Sequence, residues 1–186
     1  MGIDVGLKTF ATLRTGELIE HPRFFRAAER ALAKARRRLS KGEKGTPERA
    51  ERRKVAARVH ERSGRRRTDF AHQHSRRIVD QCDPIAVEDF SVDRMMHHRG
   101  LAKSIADAAG TQFADTLSHK AAWAGRSYVA VNPAYTSQDC SGGGHRRALS
   151  LADRIYTCPC CGPVLDRDLN AARNISSVGQ HALASA

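Results

Sequence analysis

The order of the apolar patterns along the 186-residue chain is the feature that most constrains its fold. Three short stretches with strand character come first, "GIDVG", "TFATL" and "ELIEH", the last two joined by an "RTG" turn. Two more short apolar runs, "IAVED" and "RSYVAV", are separated by a segment with helical spacing, and a final helix follows. This order predicts an α/β fold in which a mixed sheet is flanked by helices.

Helical patterns fill the region between the third and fourth predicted strands. Apolar residues predict one helix over residues 26–39. Thr46 is typical of a helix N-cap before Pro47, and predicts a second basic helix that runs toward His60. The "SGR" that follows predicts a break, with a third helix over about residues 69–81.

The second half of the chain divides around its cysteines. "LAKSIADAAGTQFADTLSHKAAWAG" predicts a helix before the fifth strand, and "DLNAARNISSV" predicts a last helix capped by Asp168. We interpret residues 134–165 as a small inserted cysteine-bearing unit. The main domain then comprises residues 1–133 and 166–186, with a basic helical insertion at about 26–67.

The positive charge of the chain is concentrated in one segment. Residues 23–77 hold 20 Lys and Arg against six Asp and Glu, whereas the remainder is slightly negative. Such a surplus favours a polyanion, most often nucleic acid, with binding that weakens steeply in salt; a solvated helical face is the alternative. The predicted contacts are Arg36, Arg37, Arg38, Lys41, Arg52, Arg53 and Lys54.

The sequence also indicates a compartment. No apolar run is long enough to span a membrane, and residues 1–20 lack the features of a signal peptide. Five cysteines, four of them clustered, favour a metal in a reducing compartment over a disulfide framework. We therefore expect a cytoplasmic protein without a membrane partner.

Acidic residues stand at the ends of predicted buried elements, where an unpartnered carboxylate is costly. Asp4 lies in the first strand, Glu88 ends the fourth, and Asp166 and Asp168 open the last helix. Singly, each has an ordinary explanation as a turn former, an edge carboxylate or a helix cap. Together they predict a site for two Mg²⁺ ions about 3.5–4 Å apart, suited to phosphodiester hydrolysis.

The cysteine spacing predicts an incomplete zinc site. Cys158 and Cys161 form a Cys-x-x-Cys turn followed by glycine, and Cys140 lies one hairpin earlier. The position three residues after Cys140 is Gly143, so the fourth ligand is His145 or water, unless the turn rearranges to use Cys160. The alternative is a decayed site in which Cys140 is a bystander.

These motifs together resemble the TnpB (OrfB) family of transposon-encoded proteins, relatives of the type V CRISPR effector nucleases. The resemblance rests on "GIDVGLKTFATLRTGE", "RRRLSKGEKGTPER", "RTDFAHQHSRRIV", "IAVEDF", "LAKSIADAA", "GRSYVAVNPAYTSQDCS" and "YTCPCCGPVLDRDLNAARNI". It implies a RuvC-like nuclease domain of the ribonuclease H fold with a zinc ribbon inserted before the last helix. The implied partners are DNA and, in full-length relatives, a guide RNA.

The resemblance also assigns residues. The implied catalytic ligands of Mg²⁺, or of Mn²⁺, are Asp4, Glu88 and Asp168, with Asp166 supporting them. The implied zinc ligands are Cys140, Cys158 and Cys161. A Mg²⁺-dependent DNA endonuclease that acts in transposition is then the expected function, provided that the chain folds and retains activity.

Three departures from the family pattern favour a truncated or decaying copy. The chain starts almost at the first catalytic strand, Gly143 replaces a ligand, and Gly110 and Thr111 stand where the family has an aromatic residue and glycine. The alternative function is therefore a catalytically silent remnant that binds nucleic acid through charge. A third hypothesis is a structural basic protein of a ribonucleoprotein, against which the acidic residues and the few aromatic residues count. The sequence does not indicate the oligomeric state.

Overall fold

A computed structural model describes residues 1–6, 8–89, 110–150 and 152–185. Five strands form one sheet: β1 (Gly2–Val5), β2 (Thr9–Leu13), β3 (Leu18–Glu20), β4 (Ile85–Glu88) and β5 (Tyr128–Val131). The sheet order is β3-β2-β1-β4-β5, in which β1, β2 and β3 are antiparallel neighbours and β1, β4 and β5 run parallel. The predicted α/β class and mixed sheet are confirmed.

Four described helices accompany this sheet: α1 (Phe24–Ser40), α2 (Pro47–Gln81), α3 (Gly110–Trp123) and α4 (Arg167–Ala184). A second, two-stranded antiparallel sheet, β6 (Ile155–Thr157) and β7 (Val164–Asp166), lies within the cysteine-bearing segment. The first part of the predicted helix before β5, residues 101–109, falls outside the described residues. Within the described parts of the chain, no helix is both long enough and apolar enough to cross a membrane.

The predicted break at residues 63–65 is wrong, because α2 is one continuous helix of 35 residues. Ala56, Ser63 and Ala71 are all buried, and their spacing of seven and eight residues keeps one inner face through the predicted break. A glycine such as Gly64 inside a helix costs only about 1 kcal/mol relative to alanine. That cost is too small to interrupt a helix whose face is buried on both sides of it.

Two arginines of α2 fasten it to the end of α1. Arg49 donates to the carbonyl oxygens of Leu39 (3.3 Å) and Gly42 (2.6 Å), and Arg52 donates to that of Arg38 (2.9 Å). The last carbonyls of a helix lack their usual partner within it, so the bonds to Arg38 and Leu39 add to the capping of α1, and the bond to Gly42 holds the connection that follows it. Thr46 is the N-cap of α2 as predicted, and its hydroxyl accepts from the backbone N–H of Arg49.

The sheet is covered by helices on both faces, as the alternation of side chains along β4 shows. Ile85 and Val87 belong to the larger core cluster, which includes Ile78 of α2 and Phe113 of α3. Ala86, between them, belongs to the smaller cluster with Ile175 of α4. The period-two pattern of a strand therefore divides β4 between two helical layers.

Glycines allow α4 to lie directly against the sheet. A Cβ at Gly2 of β1 would stand 2.0 Å from the carbonyl oxygen of Ala172, and a Cβ at Gly179 of α4 would stand 2.4 Å from the Cβ of Ala86. Both distances are far below van der Waals contact. The close approach of α4 to β1 and β4 therefore requires glycine at these two positions.

We expect Gly179→Ala to lower the free energy of unfolding by about 2–3 kcal/mol, since the added methyl group overpacks the contact with Ala86. Gly64→Ala is the matched control, because no atom apart from its chain neighbours and the adjacent backbone of α2 lies within 4 Å of its Cβ position, and alanine favours a helix. It is expected to raise the same free energy by about 0.5–1 kcal/mol. Urea denaturation measures both; equal effects of the two variants would contradict the close packing of α4.

Candidate functional site

Two of the predicted acidic residues are neighbours on adjacent strands. β1 and β4 are parallel, and their register pairs Ile3 with Val87. Asp4 and Glu88, one residue further along each strand, therefore stand level at the carboxyl end of the pair. The carboxyl ends of parallel strands are a common place for functional side chains in α/β proteins.

The third acid comes from the start of α4. Asp168 is in the first turn of this helix, and its charge, with that of Asp166, contributes to the raised pKa of Asp4. The carboxylates of Asp4, Glu88 and Asp168 thus form one electrostatic group, which we call the acid cluster. It draws on two strands and one helix that are fixed to one another by the glycine contacts of α4.

Ionisation of the acid cluster is unfavourable when no cation is bound. Burial, together with the charges of Glu88 and Asp168, raises the pKa of Asp4 to about 8, although Arg167 opposes this shift. Burial also raises the pKa of Glu88 to about 7. Desolvated carboxylates that repel one another are stabilised by a cation, and an all-oxygen donor set suits Mg²⁺ or Mn²⁺.

The carboxylate oxygens of the acid cluster are not as closely grouped as the cysteine sulfurs. Among the described residues, only the three cysteines form a group of three or more candidate ligands whose donor atoms all lie within 4.8 Å of one another. The oxygens of Asp4, Glu88 and Asp168 are more widely spread. The donor chemistry of the acids fits a divalent cation, and Mg²⁺ in proteins usually keeps several waters among its ligands.

The cap of α4 corrects one prediction. Asp166, not Asp168, is the N-cap, and its carboxylate accepts from the backbone N–H groups of Asp168 (2.8 Å) and Leu169 (3.3 Å). The reason is that β7 ends at Asp166 and the helix begins at the next residue. Asp168 is therefore not used for capping, and its side chain contacts the guanidinium of Arg167 at 3.4 Å.

The three predicted zinc ligands come together in the second cluster. The Sγ atom of Cys161 lies 3.4 Å from that of Cys140 and 3.3 Å from that of Cys158. A tetrahedral zinc ion with Zn–S bonds of about 2.3 Å separates its sulfurs by about 3.8 Å. The group, here called the thiol cluster, therefore needs only a small expansion to hold zinc.

Backbone dipoles support a thiolate in the thiol cluster. The N–H groups of Cys161 and Cys160 donate to the sulfur of Cys158 and lower its pKa to about 7, whereas the hydrogen bonds of the Cys161 thiol with the sulfurs of Cys158 and Cys140 raise the pKa of Cys161. Zinc binds the thiolate form of cysteine, so the Cys158 turn favours metal binding, and binding at Cys161 requires the loss of its proton. Cys140 and Cys158 are also buried around Tyr156, which gives the cysteine-bearing segment, residues 134–165 and here called the ribbon, a small core of its own.

The structure does not place the alternative ligands in the thiol cluster. The ring nitrogens of His145 and the sulfur of the exposed Cys160 are not within the 4.8 Å group. His145 contributes through its backbone instead, because its carbonyl oxygen accepts from the N–H of Cys140 and from the hydroxyl of Tyr156, both at 2.9 Å. The identity of the fourth ligand, whether His145, water or a rearranged Cys160, stays a prediction.

Two asparagines that the sequence analysis missed join the thiol cluster to the acid cluster. Asn170 is fully buried; its amide donates to the carbonyl of Asp139 (2.7 Å) and its Oδ1 accepts from the N–H of Ser141 (3.0 Å). Asn174, one turn further, donates to the carbonyls of Asp139 (2.6 Å) and Thr136 (2.8 Å). The two asparagines stand at i and i+4 on one face of α4, and this spacing was the available sequence signal, although it does not name their partners.

The seven predicted nucleic-acid contacts lie on α1, α2 and the connection between them, and all but Arg52 are exposed. Arg52 is partly buried by its bond to the end of α1 and its ion pair with Glu48. Lys54 pairs with Glu51 at 2.6 Å. The role of these exposed basic side chains in binding stays a prediction.

Comparison with known proteins gives two family matches. The family model OrfB_IS605, described as "Probable transposase", matches residues 1–99, and the model "Cas12f1-like, TNB domain" matches residues 111–175. Because the first match covers more than half of the chain, the protein belongs to the OrfB family, which confirms the resemblance to TnpB proteins.

Two bacterial proteins are similar to this chain over nearly its whole length. A protein of Streptomyces pristinaespiralis named "Putative RNA-guided DNA endonuclease" is 41% identical over 96% of this chain and 45% of its own length. "Putative RNA-guided DNA endonuclease InsQ" of Escherichia coli K12 is 29% identical over 99% of this chain and 50% of its own. The chain thus spans about half the length of these relatives.

A solved structure shares the fold. The chain in "Cryo-EM structure of the Cas12f1-sgRNA-target DNA complex" superposes with a TM-score of 0.66 and 20% identity, over 94% of this chain and 48% of that one. At this identity the likeness concerns the fold alone.

Proposed function

We propose that this chain is a RuvC-like nuclease unit, of the ribonuclease H fold, that cleaves DNA phosphodiester bonds as part of a transposon-associated, RNA-guided endonuclease. The observation that carries the proposal is the level position of Asp4 and Glu88 on adjacent parallel strands, where burial and then the charges of Glu88 and Asp168 raise the pKa of Asp4. The sheet order and the names of the two bacterial relatives support it.

Each acid has a distinct structural part in this function. Asp4 and Glu88 are held by strands in the centre of the sheet, so their carboxylates have fixed positions. Asp168 approaches from the first turn of α4, where Asp166 satisfies the backbone N–H groups and keeps the turn in place. Mg²⁺ or Mn²⁺, when bound, would supply water activation and stabilisation of the leaving oxygen.

The rest of the chain handles the nucleic acid in this proposal. The exposed basic residues of α1 and α2 bind backbone phosphates of DNA or of a guide RNA, with the salt dependence that follows from counterion release. Zinc bound to Cys140, Cys158 and Cys161 orders the ribbon, which Asn170 joins to the helix of Asp168. A cytoplasmic location remains part of the proposal.

The test is cleavage of labelled single-stranded DNA by the full chain with Mg²⁺, compared between the wild type and Asp168→Asn. We expect the variant to lose at least about 10³-fold in rate, because a ligand carboxylate is removed. Asp89→Asn, an exposed carboxylate beside Glu88, is the matched control and should cleave normally. Mg²⁺-dependent cleavage that Asp168→Asn leaves unchanged would contradict the assignment. Salt-sensitive binding with no cleavage by the wild type would instead support the silent-remnant alternative.

A further inference from the structure

The two turns that present the thiols have the same backbone. Residues 140–144 form the first turn and residues 158–162 the second. In each turn the N–H of the final glycine donates to the carbonyl of the first cysteine, at 2.8 Å and 3.2 Å. The N–H of that cysteine donates to the carbonyl of the residue after the turn, at 2.9 Å and 3.1 Å. The final glycines, Gly144 and Gly162, have φ angles of 71° and 81°.

This equivalence gives Gly143 the place in the first turn that Cys161 has in the second. Its φ lies outside the left-handed region, so the backbone there accepts an ordinary side chain. A Cβ built on Gly143 would stand 3.3 Å from the Sγ of Cys161. A side chain at Gly143 would therefore reach the thiol cluster beside Cys161, and among the described residues this cluster has three candidate donors.

We propose that the thiol cluster holds zinc with an open fourth coordination position on the Gly143 side, which a small exogenous thiol occupies as thiolate in place of water. Soft thiolate donors suit zinc, and a three-ligand zinc site keeps its fourth position for an exchangeable ligand. On exchange the incoming thiol loses its proton to solvent, its sulfur bonds to the metal, and the water leaves. This property goes beyond DNA cleavage and does not depend on the acid cluster.

The open position can be closed by one substitution. Gly143→Cys places a thiol where the second turn has Cys161, so it is expected to tighten zinc binding at least about tenfold. Gly143→Ala is the matched control, because it adds the Cβ without a donor and should give no gain. Competition with a chromophoric zinc chelator measures the affinities of both variants and the wild type.

The direct test follows the visible spectrum of the Co²⁺-loaded full chain, kept reduced with a phosphine, during titration with 2-mercaptoethanol. The wild type is expected to show a saturable spectral change as a fourth sulfur replaces water. Gly143→Cys should show the four-sulfur spectrum from the start and no response.

His145→Ala and Cys160→Ser test for a fourth ligand from within the chain. Both are expected to start from the wild-type spectrum and to respond to the thiol as the wild type does. The proposal is overturned if the wild type binds no Co²⁺ through its thiols or does not respond. It is also overturned if either substitution changes the starting spectrum, since that residue would then be the fourth ligand.

Discussion

Asp4→Asn is expected to stabilise the metal-free protein at pH 8 by roughly 2–4 kcal/mol while removing its response to Mg²⁺. In the folded chain the pKa of Asp4 is raised from 3.8 to about 8, chiefly by burial. The folded state therefore binds a proton that the unfolded state has lost, so stability falls as pH rises from about 4 to about 8. Asparagine keeps the shape of the side chain without a charge to desolvate.

Urea denaturation in EDTA at pH 5 and pH 8 checks this expectation. The wild type should lose stability between the two pH values, and Asp4→Asn should lose less. Mg²⁺ at pH 8 should restore stability to the wild type alone, because the cation binds the folded acid cluster and not the unfolded chain. Asp89→Asn is the matched control and should change stability by less than about 0.5 kcal/mol. If Asp4→Asn were less stable than the wild type at pH 8 in EDTA, ionised Asp4 would not destabilise the folded protein, and the expectation would be wrong.

Asn170→Ala is expected to lower the free energy of unfolding by about 3 kcal/mol. The substitution leaves the carbonyl of Asp139 with one donor fewer and the N–H of Ser141 without its partner. The side chain of Asn170 is fully buried, so its removal also leaves a space in the packing. An unsatisfied buried polar group costs about 1–3 kcal/mol, and the lost packing adds to this. Zinc binding should weaken as well, since Ser141 adjoins the ligand Cys140.

Asn132→Ala is the matched control for this second prediction. Asn132 is exposed, and its side chain accepts one local hydrogen bond from the N–H of Ala134 at 2.9 Å. Its loss should cost about 0.5 kcal/mol and leave zinc affinity unchanged. If the two asparagine substitutions had similar effects on unfolding and on zinc affinity, the link between the ribbon and α4 would be refuted.

The sequence predicts the sheet well because its strands carry their own local signals. The three N-terminal strands alternate or are rich in β-branched residues, and β4 and β5 are apolar runs between helices. The acidic residues at their ends were visible for the same reason. Placement of Asp4 beside Glu88 followed from a parallel neighbour relation that the element order suggests and the register now shows.

Features that depend on distant contacts were not accessible from local patterns. The "SGR" segment carries a real breaker signal, and α2 continues through it because its inner face stays buried. Whether Asp166 or Asp168 caps α4 depends on where β7 ends. The two candidate caps are only two residues apart, and local patterns do not place a helix start that finely. The hydrogen bonds of Asn170 go to a turn about 30 residues earlier in the chain, so its spacing from Asn174 does not by itself reveal its partners.

The central claim is that Asp4, Glu88 and Asp168 bind one kind of cation at one site, and Mn²⁺ binding followed by electron paramagnetic resonance tests it most directly. The measurement uses the zinc-loaded full chain, so that the thiols are already occupied. We predict that Mn²⁺ binding is saturable and that Mg²⁺ displaces the bound Mn²⁺. Each of the substitutions Asp4→Asn, Glu88→Gln and Asp168→Asn should weaken Mn²⁺ binding at least about tenfold. Asp89→Asn should bind as the wild type does. Mn²⁺ binding that all three substitutions leave unchanged would contradict the claim.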